Sequence, residues 1–322
     1  MKKYLIGVIA LISLIPMQAS AESETAEALL HQMSQASNQL NYELSYVLIR
    51  KNSIEPLMYR HSSNEEQTLE HVIYLSGPVR EVIRRGGEVS YIEQGIEPFS
   101  LAAESMVAPL PPLMNRSITQ LAQYYDFISM GRSREAGSAC DVVRIVPKDG
   151  HRYSYLVWID ERSNLPLRTD LIDRDGEVIE QYKVISYAVN DKIADLMSGL
   201  NKATLPEVVT FPKQPVSDVN WKLGWLPEGF QVVTLNRYRL ENTQREVESQ
   251  MFTDGLFTFS VYISDADSTS LKEQLVRQGR RTLHSQVKNK REVTVIGDIP
   301  IATAKRIAES ITFDSHGNTS TK

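Results

Sequence analysis

The chain has 322 residues, about two domains' worth at roughly 150 residues each. Its 42% hydrophobic and 23% charged content is that of a globular protein with a real core. One cysteine, Cys140, excludes an intramolecular disulfide and any cysteine-built zinc or iron–sulfur site, and a formal net charge of −5 counts against nucleic acid as a partner.

Lys2 and Lys3 open the chain, Tyr4 to Met17 is an apolar run, and Ala19-Ser20-Ala21 is a small-x-small triplet. That layout predicts a signal peptide over residues 1–21, cleaved after Ala21. The run is shorter than the ~20 residues of a bilayer span, and no cysteine follows the cleavage point to carry a lipid. The mature protein is therefore expected to start at Glu22, exported and soluble. Residues 22–217 carry 19 Lys/Arg and 27 Asp/Glu, net −8, whereas Asp218 onward carries 14 and 13, net +1. Halves so different in charge fit two domains better than one uniform body.

Residues 22–40 read as an amphipathic helix, with Ala26, Leu29, Leu30, Met33, Ser37 and Leu40 on one face. The period then drops to two at Tyr42, Leu44, Tyr46 and Leu48, the mark of a half-buried strand. Strand-like runs follow at Leu69–Leu75, Val79–Arg85, Glu88–Ile92, Phe127–Gly131, Cys140–Val146, Tyr153–Ile159, Leu165–Ile172 and Val178–Tyr187. Gly86-Gly87, Asp149-Gly150 and Asp175-Gly176 supply turns, and a short helix is expected at Ser117–Tyr124 after the prolines at 109, 111 and 112. Strands this close together, without helices between them, predict an antiparallel meander in an α+β fold and not a parallel nucleotide-binding sheet.

Pro206, Pro212 and Pro215 lie in a stretch with little periodicity, read as a linker over 206–219 between a large unit at 22–205 and a small one at 220–314. The small unit is expected to hold a hairpin turning at Asp254-Gly255, two strands at Arg281–Val287 and Glu292–Gly297, and a helix starting at Pro300. The polar residues 315–322 are expected to be a disordered tail.

Catalytic signatures are missing from the sequence. The six histidines never fall at i, i+4 spacing, and there is no G-x-S-x-G elbow, phosphate loop or dinucleotide fingerprint. The expectation is a protein that is not an enzyme, with no cofactor and no metal. Two features suggest binding instead. From Gln274 to Arg291 there is no acidic residue, while Arg277, Arg280, Arg281, Lys288, Lys290 and Arg291 are positive, a candidate site for an acidic partner or an anionic lipid. The same run also reads as a solvated hairpin rim. Tyr42, Tyr46, Tyr91, Tyr153, Tyr155 and Trp158 either line an apolar cavity or simply fill the core. Cys140, in a strand-like run, reads as a buried structural thiol.

A set of segments in order carries a family resemblance. In the first unit these are Leu40-Asn41-Tyr42-Glu43-Leu44-Ser45, Gly77-Pro78 through Tyr91, Glu97-Pro98-Phe99, Tyr124-Tyr125-Asp126-Phe127-Ile128-Ser129, Arg152-Tyr153-Ser154-Tyr155 and Leu171 to Glu177. In the second they are Trp225-Leu226-Pro227-Glu228-Gly229-Phe230, Asp254-Gly255-Leu256-Phe257, Gly279-Arg280-Arg281-Thr282 and Thr303 to Glu309. Together they resemble the RseB/MucB family, periplasmic negative regulators of the sigma-E envelope-stress response. The resemblance implies a large domain built as an unclosed, lipoprotein-carrier-like β-barrel with covering helices, and a smaller C-terminal α/β domain. It implies a periplasmic binder of an anti-sigma factor's periplasmic region that protects it from regulated proteolysis and is released by lipopolysaccharide or acyl-chain signals. It transfers no invariant functional side chain, and it leaves homo-oligomerisation open. The competing function is a periplasmic lipid or lipoprotein carrier, which has no need of the second unit.

Overall fold

The computed structural model describes residues 17–64, 67–210, 219–240, 244–268, 270 and 273–313, with side chains from Ala26 onward. Most of the expected signal peptide, linker positions 211–218 and the polar tail 315–322 lie outside the described residues. The amphipathic pattern forms helix α1 (Met17–Gln39), whose Ala26, Leu30 and Met33 are fully buried. Its backbone is helical through Ala21, so cleavage there would leave a helix starting at Glu22.

Eleven antiparallel strands make the first sheet. They are β1 (Tyr42–Arg50), β2 (Ser53–Ser63), β3 (Thr68–Tyr74), β4 (Arg80–Arg85), β5 (Glu88–Glu93) and β6 (Phe99–Ala102), then β7 (Tyr125–Glu135), β8 (Ser138–Pro147), β9 (Ser154–Asp160), β10 (Pro166–Ile172) and β11 (Val178–Val189). Between β6 and β7 comes the short helix α2 (Ile118–Leu121), capped by the Ser117 hydroxyl accepting from the Gln120 amide. The strand order β6-β5-β4-β3-β2-β1-β11-β10-β9-β8-β7 joins two meanders through β1 and β11, with β6 and β7 as its outermost strands. The sheet is therefore not closed into a barrel. Helix α3 (Lys192–Lys202) packs Ile193 and Met197 against Leu69, while Arg85 donates to the carbonyls at the end of α3.

The aromatic residues that could have lined a cavity fill the core instead. Tyr42, Tyr46, Tyr153 and Tyr155 are at most 3% exposed. Tyr42 packs edge-on against Tyr59 and flat on His61, and Tyr46 lies 4.5 Å from Tyr182 between ring centroids. Trp158 carries the Arg168 guanidinium over its ring at 4.1 Å, and Tyr91, only partly buried, stacks on Phe99. Cys140 is buried as expected, and burial pushes its thiol up to about 11.

The second unit is built from β12 (Trp221–Leu223), β13 (Gln231–Arg239), β14 (Glu246–Thr253), β15 (Thr258–Asp265), β16 (Glu273–Gln278), β17 (Arg281–Lys288), β18 (Arg291–Gly297), α4 (Ile301–Ser310) and β19 (Ile311–Phe313). Six strands form an antiparallel sheet in the order β13-β14-β15-β18-β17-β16, and β12 pairs with β19. Helix α4 buries Ala304, Ile307 and Ala308, the face its spacing predicts.

Two details of the domain reading change. Residues 206–209 do not run free: the Ser100 amide donates to the Glu207 carbonyl, the Val209 amide to the Ser100 carbonyl, and the Ser100 hydroxyl to the Pro206 carbonyl. The first unit thus extends past 205, because the exposed edge of β6 offers backbone partners that an extended proline-containing segment can use. Nor do the two units keep separate cores. One continuous cluster holds Leu121, Tyr125, Tyr153 and Tyr155 of the first unit with Phe230, Phe252, Phe257 and Ile307 of the second.

Candidate functional site

The junction between the two units holds a buried ion pair that joins them. On the first unit it is made by the ends of β7, β9, β10 and β11 with the turns beside them; on the second, by the β14–β15 turn, β16, the start of β17 and the N-terminus of α4.

Its centre is a charged group inside apolar packing. Arg152, next to the Asp149-Gly150 turn, has its side chain 1% exposed; its Nε lies 2.6 Å from Oδ2 of Asp254, which is 0% exposed. A second contact at 2.8 Å runs from Arg152 to Asp149. The Tyr125 hydroxyl donates to Asp254 Oδ2 at 2.5 Å, and the Arg152 guanidinium sits over the rings of Tyr125 and Phe230. The position of Asp254 follows from the β14–β15 turn, where its Oδ1 accepts from the amides of Leu256 and Phe257. Burial pushes the Tyr125 phenol well above its ordinary value, and the neighbouring Asp254 carboxylate adds to the shift.

Apolar and polar contacts surround this centre. Phe257 stacks on Tyr155 at 5.7 Å, and burial pushes the Tyr155 phenol up to about 12. The Tyr153 hydroxyl donates to the Ile299 carbonyl at 3.1 Å, and the Thr303 hydroxyl to the His151 carbonyl at 2.9 Å. Arg306 lies over the Trp225 ring at 3.9 Å, with His151 edge-on to the same ring. Gly229 lies against the Tyr124 ring so closely that a Cβ would come within 2.6 Å of it. The segment Trp225–Phe230, singled out in the sequence, is thus a piece of the junction.

The six basic residues of the candidate site are placed in different surroundings. Arg277 donates to Asp173 at 3.0 Å and Arg280 to Glu180 at 3.1 Å, so both are held by carboxylates of the first unit. Arg280 also meets Asp298 at 3.0 Å, and Arg281, largely exposed, lies 3.8 Å from the same residue. Lys288 donates to the carbonyls of Glu309 and Ile311 at the end of α4. Arg291 packs over Phe313, and Lys290 sits exposed at the β17–β18 turn. Strand alternation and the separate pull of each local partner divide the run into a junction pair, an exposed Arg281 beside Asp298, a helix-end contact, an exposed tip and Arg291 over Phe313. Burial alone would raise the Asp173 carboxyl, but amide donors at Asp175 and Glu177 and the Arg277 guanidinium outweigh it and hold the group below its ordinary value. Sequence reasoning missed Arg152 and Asp254 as partners; the only signal was their presence in two of the segments that carry the family resemblance.

Among the described residues, no group of His, Cys, Asp and Glu is arranged to hold a metal ion, and no helix is long and apolar enough to cross a membrane. A cleft of about 770 Å³ opens between α1, the β9–β10 turn and β11. Its lining is mixed, with Gln32, Gln35, Asp160 and Arg162 beside Leu40 and Val189, and none of the six aromatic residues considered as cavity walls contributes to it. The arrangement is suited to holding two units in register, and it presents no reacting constellation.

Comparison with known proteins agrees with this two-unit organisation. The family model for the MucB/RseB N-terminal domain matches residues 25–209, and that for the MucB/RseB C-terminal domain matches residues 215–312. The chain is 46% identical to the sigma-E factor regulatory protein RseB of Salmonella typhimurium, over 92% of this chain and 93% of that protein. It is 45% identical to RseB of Escherichia coli K12, over 89% and 90% respectively. Its fold is similar to that in a solved complex of Pseudomonas aeruginosa MucA and MucB, with a TM-score of 0.71 at 24% identity, over 90% of this chain and 99% of that one.

Proposed function

The chain belongs to the MucB/RseB family, whose members are regulatory binding proteins and not enzymes, and on that premise we propose that it binds the periplasmic region of a membrane anti-sigma factor and so restrains sigma-E. The observation that carries this reading is the close relation to RseB proteins across both units, with the second unit docked on the first through a shared core. A complex of the relative MucB with the periplasmic region of MucA supports the choice of partner. In this reading the protein works in the periplasm, shields its partner from regulated proteolysis and is released by a lipopolysaccharide or acyl-chain signal. Any anion-binding role for the basic run falls to Arg281 and Lys290, which are exposed and not held by the first unit, since Arg277 and Arg280 are engaged by its carboxylates.

The test is a binding titration of the mature chain with the periplasmic segment of the anti-sigma factor from the same cell, followed by digestion of that segment with the site-1 protease. Saturable 1:1 binding that slows the first cleavage, relieved by lipopolysaccharide, is expected. No binding, together with capture of lipid from liposomes, would favour the carrier function.

A further inference from the structure

The junction is made of two tiers with different chemistry. The inner tier is the Arg152–Asp254 pair with Tyr125, enclosed by apolar side chains. The outer tier is a pair of part-buried ionic contacts nearer the rim, Arg277 with Asp173 and Arg280 with Glu180; solvent reaches them mainly through the arginines, 29% and 22% exposed, the carboxylates being 5% and 13% exposed. Separating the tiers has unequal consequences. If the rim opens, Glu180 keeps Arg50, which lies 2.8 Å away, and Arg280 keeps Asp298. Asp173 keeps the amides of Asp175 and Glu177. No buried charge is stranded by that movement. If the centre opens, Asp254 keeps the amides of Leu256 and Phe257 at Oδ1, but its Oδ2 loses both side-chain partners, Arg152 and Tyr125, since each belongs to the first unit. Parting a fully enclosed charge pair costs more than parting one that solvent already reaches.

Screening separates the tiers as well. Charges reached by solvent lose most of their attraction beyond a Debye length, which shrinks from ~10 Å at 0.1 M salt to ~3 Å at 1 M, whereas enclosed pairs are screened much less. The rim contacts also join a unit of net charge −8 to one of +1, so long-range attraction adds to them at low salt. We infer that the junction is a salt-sensitive clasp on a buried pin: the Arg277–Asp173 and Arg280–Glu180 contacts open and close while Arg152–Asp254 stays in place as the pivot. The device belongs to the fold and does not depend on the identity of the partner. Any partner that touches both units would bind a surface whose shape the clasp controls.

Double electron–electron resonance on the full mature chain tests this. Cysteines are introduced at Val178 and Val276, which are 51% and 54% exposed and lie close to the clasp on opposite units. The native Cys140 is buried, with its thiol pushed up to about 11, and does not compete for the label. At low salt a narrow distance distribution is expected. In 1 M NaCl it should broaden and lengthen by about one strand spacing, ~5 Å. Arg277→Met/Arg280→Met should show the same longer distribution at low salt and no further change at high salt. Asp254→Asn should loosen the junction equally at both salt concentrations. A wild-type distribution that is unchanged at 1 M NaCl overturns the inference whatever the variants do. A salt response that persists in full in the folded Arg277→Met/Arg280→Met variant overturns the assignment to these two arginines.

Discussion

Arg152 and Asp254 belong to different units, yet they meet at 2.6 Å with neither side chain reaching solvent. Such a pair contributes little net stability, because desolvating both charges offsets most of their attraction, but removing one partner leaves the other stranded. Arg152→Leu is therefore expected to lower unfolding free energy by about 3–5 kcal/mol, while Arg152→Leu/Asp254→Leu recovers much of that loss. Urea unfolding of the two variants beside wild type measures both numbers. A single variant within ~1 kcal/mol of wild type would show that the pair is not buried in solution.

The shared core bears on cooperativity. Because one apolar cluster contains residues of both units, the chain should unfold in a single calorimetric transition and not in two. Two resolved transitions, one for each unit, would mean that the junction contributes little. In the same experiment, expressing 219–313 alone should yield a species that exposes Phe230 and Phe257 and binds a hydrophobic dye.

Gly229 has φ +85 and lies against the Tyr124 ring. Gly229→Ala is therefore strained twice, by backbone conformation and by the ring, and should cost more than about 1 kcal/mol. Combining it with Tyr124→Ala should relieve the steric part and leave the backbone part, a partial recovery readable from melting temperatures.

At the tip of the β17–β18 hairpin, Asn289 and Lys290 both have positive φ, 52° and 62°, which is the two-residue turn that favours Asn-Gly. Replacing Lys290 by glycine should stabilise the chain by about 0.5–1 kcal/mol. The variant has a second use, since it removes an exposed charge of the basic run that no carboxylate of the first unit holds. If it is more stable yet binds an anionic lipid headgroup less tightly, the charge at that tip matters for binding; unchanged affinity would confine any such role to Arg281.

Burial lowers the pKa of His61 and His284 below the ordinary histidine value. The unfolded chain protonates these rings near ~6.5, whereas the folded chain resists protonation until a lower pH. In that interval the unfolded state holds more protons, so stability rises with pH. The contribution is present above about 6.5 and is lost as the pH falls towards the folded values. A melting temperature that drops between pH 7.5 and 5, with a shallower drop in His61→Gln/His284→Gln, is the expected result. Identical pH profiles for the variant and wild type would exclude these rings as the cause.

Much of the architecture is written in local pattern. The amphipathic face of α1, the alternation of β1, the Asp254-Gly255 turn and the buried stripe of α4 all depend on residues close together in sequence, and each formed where its period placed it. Strands β13 and β16 escaped notice for a physical reason. They are the two edges of the second sheet and are almost wholly exposed, so no face is buried and no alternation is imposed. Helix α3 buries only Ile193 and Met197, too narrow a stripe to stand out.

What only the tertiary structure decided is which distant groups meet. Composition showed that the halves differ in charge, and the stretch at 277–291, basic and without an acidic residue, was plain to see. Nothing local shows that Arg277 and Arg280 would find Asp173 and Glu180 about a hundred residues earlier, or that Asp254 would lie against Arg152. A charge run records which residues attract anions. The partner it takes is set by which elements pack together, and here the packing of two apolar faces supplied carboxylates from within the chain.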